Sequence, residues 1–306
     1  VMMDFGKIID HIYQQLLLEK NLGQVAGYIP ELATVDSEKF GVCLINTDNQ
    51  CFSAGDWQEQ FSIQSIVKVV TLSLAYQKLD AQLWQRVGVE PSGTPFNNLS
   101  RLESDYGIPR NPFSNAGAIV VCDVLMELFS DPREVVISML RTLAADDDIN
   151  FTQAIAASEK SEGYRNMALA YFMKSMGNIK HEVEDVLDFY FDVCSIAVSC
   201  EQLARIFMYL AKHGRSADGK YSYLSEGQAK RINAIMLTCG FYDEAGDFAF
   251  RVGLPGKSGV GGGIVAVMPG EFSLAVWSPR LNEKGNSYRG LRFLEHFTDA
   301  TERTIF

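Results

Sequence analysis

The chain has 306 residues, 47% hydrophobic and 21% charged, an ordinary globular mix with room for one large or two medium domains. Its formal net charge of −11 argues against nucleic acid as a partner, because phosphate binding needs clustered Lys and Arg. No apolar run reaches the roughly 18 residues of a membrane span, and V-M-M-D-F-G-K lacks a signal-peptide core, so the expectation is a cytoplasmic protein without membrane partners.

Asp4 reads as the N-cap of an opening helix carrying Ile8, Ile9, Ile12 and Leu16. Gly23 to Pro30 reads as a loop. Residues 40–46 and 50–54 read as two strands around T-D-N, a hairpin signal. Gly55-Asp56 then turns the chain toward a helix at Ser65. From about Leu79 to Cys239 the pattern is largely helical. Asp131-Pro132 starts one helix with proline at its first position. S-x-x-Q at Ser199 and at Ser225 are capping boxes opening two more, and Gly214 and Gly240 mark stops. Asp146-Asp147-Asp148 reads as a solvated turn. After Tyr242 the pattern reads as strands at 248–252, 263–267 and 272–277, and a last helix from about Tyr288 to Arg303. Strands at both ends and helices between them predict an α+β fold. Residues 1–78 with 240–306 would form a sheet subdomain, and 79–239 a helical insertion.

The six cysteines, Cys43, Cys51, Cys122, Cys194, Cys200 and Cys239, include no C-x-x-C and no zinc spacing. They read as reduced thiols, and no metal or cofactor is expected.

One residue is out of place in this pattern. Lys68 sits within I-V-K-V-V-T-L-S-L-A, where apolar side chains point in every direction. A helix apolar all round is buried, and a buried lysine needs a partner or a task. Ser65 lies three residues earlier on the same face. A serine hydroxyl needs a base before it becomes a nucleophile. A lysine serves only when neutral, which needs a downward pKa shift of about three units, roughly 4 kcal/mol. Ser65 at a helix start would also offer an unpaired N–H to an oxyanion. The plainer alternative is a capping serine and a lysine reaching along the helix to water.

R-V-G-L-P-G-K-S-G-V-G-G-G-I, from Arg251 to Ile264, resembles two nucleotide motifs and fits neither. A phosphate loop needs glycine where Arg251 stands, and a dinucleotide fingerprint needs glycine where Ile264 stands. What remains is Lys257-Ser258-Gly259 running through glycines into a strand. S-x-x-K followed far downstream by K-[ST]-G is the serine acyl-transferase pattern of penicillin-binding proteins and β-lactamases. A Ser–His–Asp triad is not indicated, since His11, His181, His213 and His296 lie outside every motif.

With these segments, and with Y-I-P-E-L-A, P-F-S-N-A-G-A, S-E-K-S-E-G-Y-R-N, Y-F-D-V-C-S and G-N-S-Y-R-G, the sequence closely resembles the serine-dependent glutaminases over nearly its whole length. The resemblance implies a β-lactamase-like antiparallel sheet flanked by helices, and hydrolysis of L-glutamine to L-glutamate and ammonia. It implies Ser65 as nucleophile, Lys68 as its base and Tyr242 as proton relay. The N–H groups of Ser65 and Val260 would form the oxyanion hole. Tyr28, Asn115, Glu159, Asn166 and Tyr190 would contact substrate, and a homodimer or homotetramer is implied. Glu159 suits an α-ammonium, and neutral Asn and Tyr donors suit an α-carboxylate. Two positions depart from the family pattern. Val67 stands where the family usually has serine, and helix geometry turns it away from the Ser–Lys pair. Gly27 stands where it usually has Asp, which leaves open how firmly the Tyr28 loop is held. A penicillin-type enzyme is a rival reading, disfavoured by the missing export signal. A glutamine-binding protein without turnover is another.

Overall fold

Asn46 to Gln50 reverse the chain, with Asn49 in the left-handed region at φ 61°, and join β1 (Gly41–Asn46) to β2 (Cys51–Gly55) as an antiparallel hairpin. The computed structural model describes residues 3–95 and 97–306. On its other side β1 pairs with β7 (Phe272–Trp277), Cys43 opposite Ala275. β6 (Gly263–Met268) and β5 (Gly256–Ser258) complete an antiparallel sheet of order β2-β1-β7-β6-β5.

The two-residue period of the strands sorts side chains between two cores. Val42, Leu44, Ile264, Leu274 and Val276 pack with Ile9, Ile12 and Leu16 of the first helix and Phe293, Leu294 and Phe297 of the last. Cys43, Ile45, Val265, Ala275 and Trp277 face the opposite way, into the larger core shared with the Cys200–Ala211 helix and the helices between the two halves of the sheet. The helix starts form where the sequence places them. Asp4 and Asp131 accept backbone N–H bonds from Lys7 and Glu134, and both capping boxes close. Among the described residues no helix is long and apolar enough to cross a membrane.

The expected strand at 248–252 is instead a helix, Ala245–Arg251. The alternation Phe248, Phe250, Val252 imitates a strand. As a helix, Ala245, Phe248 and Val252 share one buried face, while Phe250 is 86% exposed. Phe248 stacks on Phe241 at 3.6 Å between ring centroids, and Arg251 pairs with Asp247 one turn back. Four short elements were not expected, β5 among them. Pro30–Ala33 is a single helical turn. β3 (Phe61–Ser62) pairs with β4 (Ala197–Val198), which ties the approach to Ser65 to the helical region.

Candidate active site

Ser65 is the middle residue of a turn of 3₁₀-helix, Gln64–Ile66, that continues as the α-helix Val67–Leu79. Gln64 before it holds φ 50°, a left-handed conformation that costs a non-glycine residue about 1–3 kcal/mol. The glycine-rich segment lies against this turn. A Cβ at Gly259 would meet Ile63 O at 2.9 Å, Gln64 Cβ at 3.3 Å and Ser65 N at 3.4 Å, and one at Gly261 would meet Ser62 O at 2.4 Å. The glycines therefore let the β5–β6 connection approach the Ser65 backbone. That approach places Val260 in the same cavity wall as Ser65. No described group accepts from the Val260 N–H.

Lys68 is 1% exposed, inside a helix whose residues from Val67 to Tyr76 are all buried. Its Nζ donates to Asn115 Oδ1 at 2.7 Å and to Phe113 O at 3.3 Å. Burial pulls its pKa down to about 8. A neutral amine has two N–H bonds and one lone pair. The two acceptors match those two donors, and the lone pair is left for another proton. Asn115 begins the helix Asn115–Leu128, so the positive ends of this helix and of the Ser65 helix both meet the cavity. Such ends disfavour an ammonium and favour an oxyanion. Val67 is buried in the core and does not line the cavity.

Tyr242 also holds a left-handed conformation, φ 57°. Burial pushes its phenol up to about 12, while hydrogen bonds with the Ser65 and Ser258 side chains draw it down. Lys257 Nζ lies 4.6 Å from the centre of its ring and donates to Ser258 O at 2.7 Å. Burial, then the charge of Lys68, holds Lys257 well below its ordinary pKa. Ser258 is fixed from behind by Asn286, which accepts from its hydroxyl at 2.5 Å and donates to Glu244 at 2.7 Å.

The cavity beside Ser65 holds about 230 Å³. Tyr28, Asn115, Glu159, Asn166, Tyr190, Tyr242 and Val260 all line it with Ser65, while Lys68 is not in its lining and reaches it through the bond to Asn115. Asn115 Nδ2 donates to Asn166 Oδ1 at 3.0 Å, and the Tyr190 hydroxyl donates to Asn115 Oδ1 at 3.4 Å. Glu159, on the helix Gln153–Ser161, is pushed up to about 8 by burial, with Lys68 and Gln64 opposing. Its Oε2 is buried and has no hydrogen-bond partner among the described residues. Burial, with Tyr242 and Glu159 beside it, pushes the Tyr28 phenol up, although the residue is 55% exposed. The ring flank is wet and the hydroxyl end is not. The Tyr28 loop is anchored on both sides of Gly27: Gln24 bridges to Leu281, and Ala26, Ile29 and Leu32 pack on Val260 and Leu281.

Gln64 and Arg165 also line the cavity and were not singled out from the sequence, although Arg165 sits inside S-E-K-S-E-G-Y-R-N. The signal for Gln64 was its place before Ser65. Nothing in its own spacing marks it.

A family model described as Glutaminase matches residues 23–306. The glutaminase of Christiangramia forsetii is 52% identical over 304 residues, 99% of this chain and all of that protein. Among solved structures, the probable glutaminase ybaS superposes with a TM-score of 0.92 at 32% identity, covering 99% of both chains. The probable glutaminase of Bacillus subtilis in complex with 6-diazo-5-oxo-L-norleucine gives 0.85 at 29% identity, covering 100% of this chain and 98% of that one. The sheet and flanking helices described above are the β-lactamase-like fold of these structures. The chain belongs to the glutaminase family and is a glutamine amidohydrolase.

Proposed function

We propose that glutamine hydrolysis here runs through an acyl-enzyme on Ser65, with Lys68 as its base. The observation that carries this is Lys68 itself: buried, depressed to about 8, with two acceptors for the two N–H bonds of its neutral form. Ser65 Oγ attacks the side-chain amide carbon of glutamine and its proton passes to Lys68 Nζ. The N–H groups of Ser65 and Val260 receive the oxyanion. Tyr242, in contact with Ser65, relays the proton to the departing nitrogen, and ammonia leaves as the carbonyl re-forms. Water then attacks the acyl-enzyme by the same route, releasing glutamate and returning the proton to Ser65.

The other end of the substrate is read by the polar wall of the cavity. The unpartnered Glu159 Oε2 takes the α-ammonium, which in turn keeps that carboxylate ionised. Asn115, Asn166, Tyr190 and Tyr28 offer neutral groups to the α-carboxylate. The relative in complex with 6-diazo-5-oxo-L-norleucine supports glutamine as the substrate, because that compound keeps the α-amino acid and replaces the amide with a reactive diazoketone.

The test is release of ammonia and glutamate from L-glutamine by the parent, Ser65→Ala and Lys68→Ala. Equimolar products from the parent and none from either folded variant are expected. A Lys68→Ala protein near parental rate would remove the base. A folded parent that binds glutamine and releases nothing would leave a binding role only.

A further inference from the structure

Five of the six cysteines are buried, and Cys51 is the exposed one. It lies on β2, the edge strand, which pairs with no strand on its outer side among the described residues. Cys43 stands opposite Ser53 and Cys51 stands opposite Ile45 in the β1–β2 register, so the two thiols are diagonal neighbours on one sheet face. Their sulfurs are 3.3 Å apart. A disulfide needs about 2.05 Å, a closure of just over ~1 Å shared by two side chains. We propose that Cys51 and Cys43 form a thiol-oxidation site, at which a hydroperoxide converts the facing thiols into an inter-strand disulfide.

The surroundings fit the order of events. The Cys43 thiol, hydrogen-bonded to Cys51, lowers the Cys51 pKa. The Cys200–Ala211 helix brings two opposing charges over the pair: Arg205 favours the Cys51 thiolate and Glu201 disfavours it. Arg205 is held there by Glu201 at 3.4 Å and Asn49 at 3.1 Å. The Cys51 thiolate attacks the peroxide and an S–O bond forms as O–O breaks; Cys51 becomes a sulfenic acid, and the other oxygen leaves as alcohol or water with the proton that Cys51 released. The Cys43 sulfur then displaces that hydroxyl, which leaves with the Cys43 proton as water. The peroxide is reduced by two electrons and the two thiols are oxidised by two. The disulfide closes a loop of residues 43–51 around the Asn46–Asn49 turn.

The experiment exposes the full chain to hydrogen peroxide, alkylates it under denaturing conditions and maps the peptides by mass spectrometry. A Cys43–Cys51 cross-link is expected, two hydrogens lighter than the reduced pair and reversed by dithiothreitol. Cys122, Cys194, Cys200 and Cys239 should stay alkylated. Cys43→Ser should instead leave Cys51 as a sulfenic acid that dimedone traps. Three results would each overturn the assignment in the parent. One is over-oxidation of Cys51 while Cys43 remains alkylatable. Another is a Cys51–Cys51 link between chains. The third is Cys51 modified no faster than the buried thiols.

Discussion

Two groups must be in the right charge state before glutamine meets the free enzyme. In the proposed mechanism Lys68 is neutral when it accepts the Ser65 proton, and Glu159 is ionised when it holds the α-ammonium. Burial places both pKa values at about 8. Falling pH therefore removes both competent forms together. With each group near 8, the doubly competent fraction falls about 600-fold from pH 8.5 to 6.5, and log(kcat/KM) approaches a slope of two. In the substrate complex the ammonium keeps Glu159 ionised, so Lys68 alone remains to titrate. The expected fall in kcat over the same interval is about 25-fold, with a slope of one. The assay is initial-rate ammonia release from pH 6 to 8.5 at saturating and sub-saturating glutamine. Glu159→Gln should reduce the kcat/KM slope from two to one while leaving the kcat limb in place. A parental kcat/KM that is flat between pH 6.5 and 8.5, or that falls with a slope of one, would refute the reasoning.

Glu159→Gln should also change stability, and with a definite sign. The unfolded carboxyl releases its proton near 4.5 and the folded one near 8, so the parent loses stability as pH rises across that window. The Gln variant should match the parent in Tm near pH 4.5 and exceed it at pH 8.5, and equal Tm values at pH 8.5 would count against a carboxylate held up by burial. Tyr242→Phe removes the phenolic proton while keeping the ring under Lys257, and kcat should drop about 10²–10⁴-fold in steady-state assays with KM little changed; a loss below threefold would rule out the relay. Gly259→Ala drives a methyl against Ile63 O and the Ser65 turn, and should lower stability by about 1–3 kcal/mol in urea titrations. It should also lower kcat by more than tenfold, and a variant with parental kcat would mean that the Ser65 turn does not depend on that close approach.

Much of the site was legible because its chemistry violates the rules that govern the rest of the chain. A lysine with no polar face around it, at Lys68, had no packing explanation. The glycines after Lys257 could be read as a close approach, but not what would be approached. The structure shows that Gly259 and Gly261 meet the backbone around Ser65, a partner nearly two hundred residues away in sequence. Glu159, Asn166 and Tyr190 carried no local signal. They sit on three separate helices that meet only through tertiary packing, and the family motifs alone marked them. Among the elements, the caps at Asp4, Ser199 and Ser225 and the proline start at Asp131-Pro132 were read correctly. The error at 248–252 came from a short run in which both periods fit. The choice there was made by Phe241, whose ring offers a stacking partner to one helical face.

The order of the sheet has a consequence for synthesis. β1 emerges early from the ribosome with one neighbour, β2, already attached by its hairpin. Its other edge pairs with β7, some 230 residues later in the chain. Until then that edge is an open row of amides and carbonyls, available to any strand that meets it. The wall that Val260 contributes beside Ser65 is equally late. On the proposed mechanism, a nascent chain therefore carries Ser65 long before the Val260 side of its cavity is in place. Slow pairing of such distant strands would set the pace of refolding and the window for aggregation.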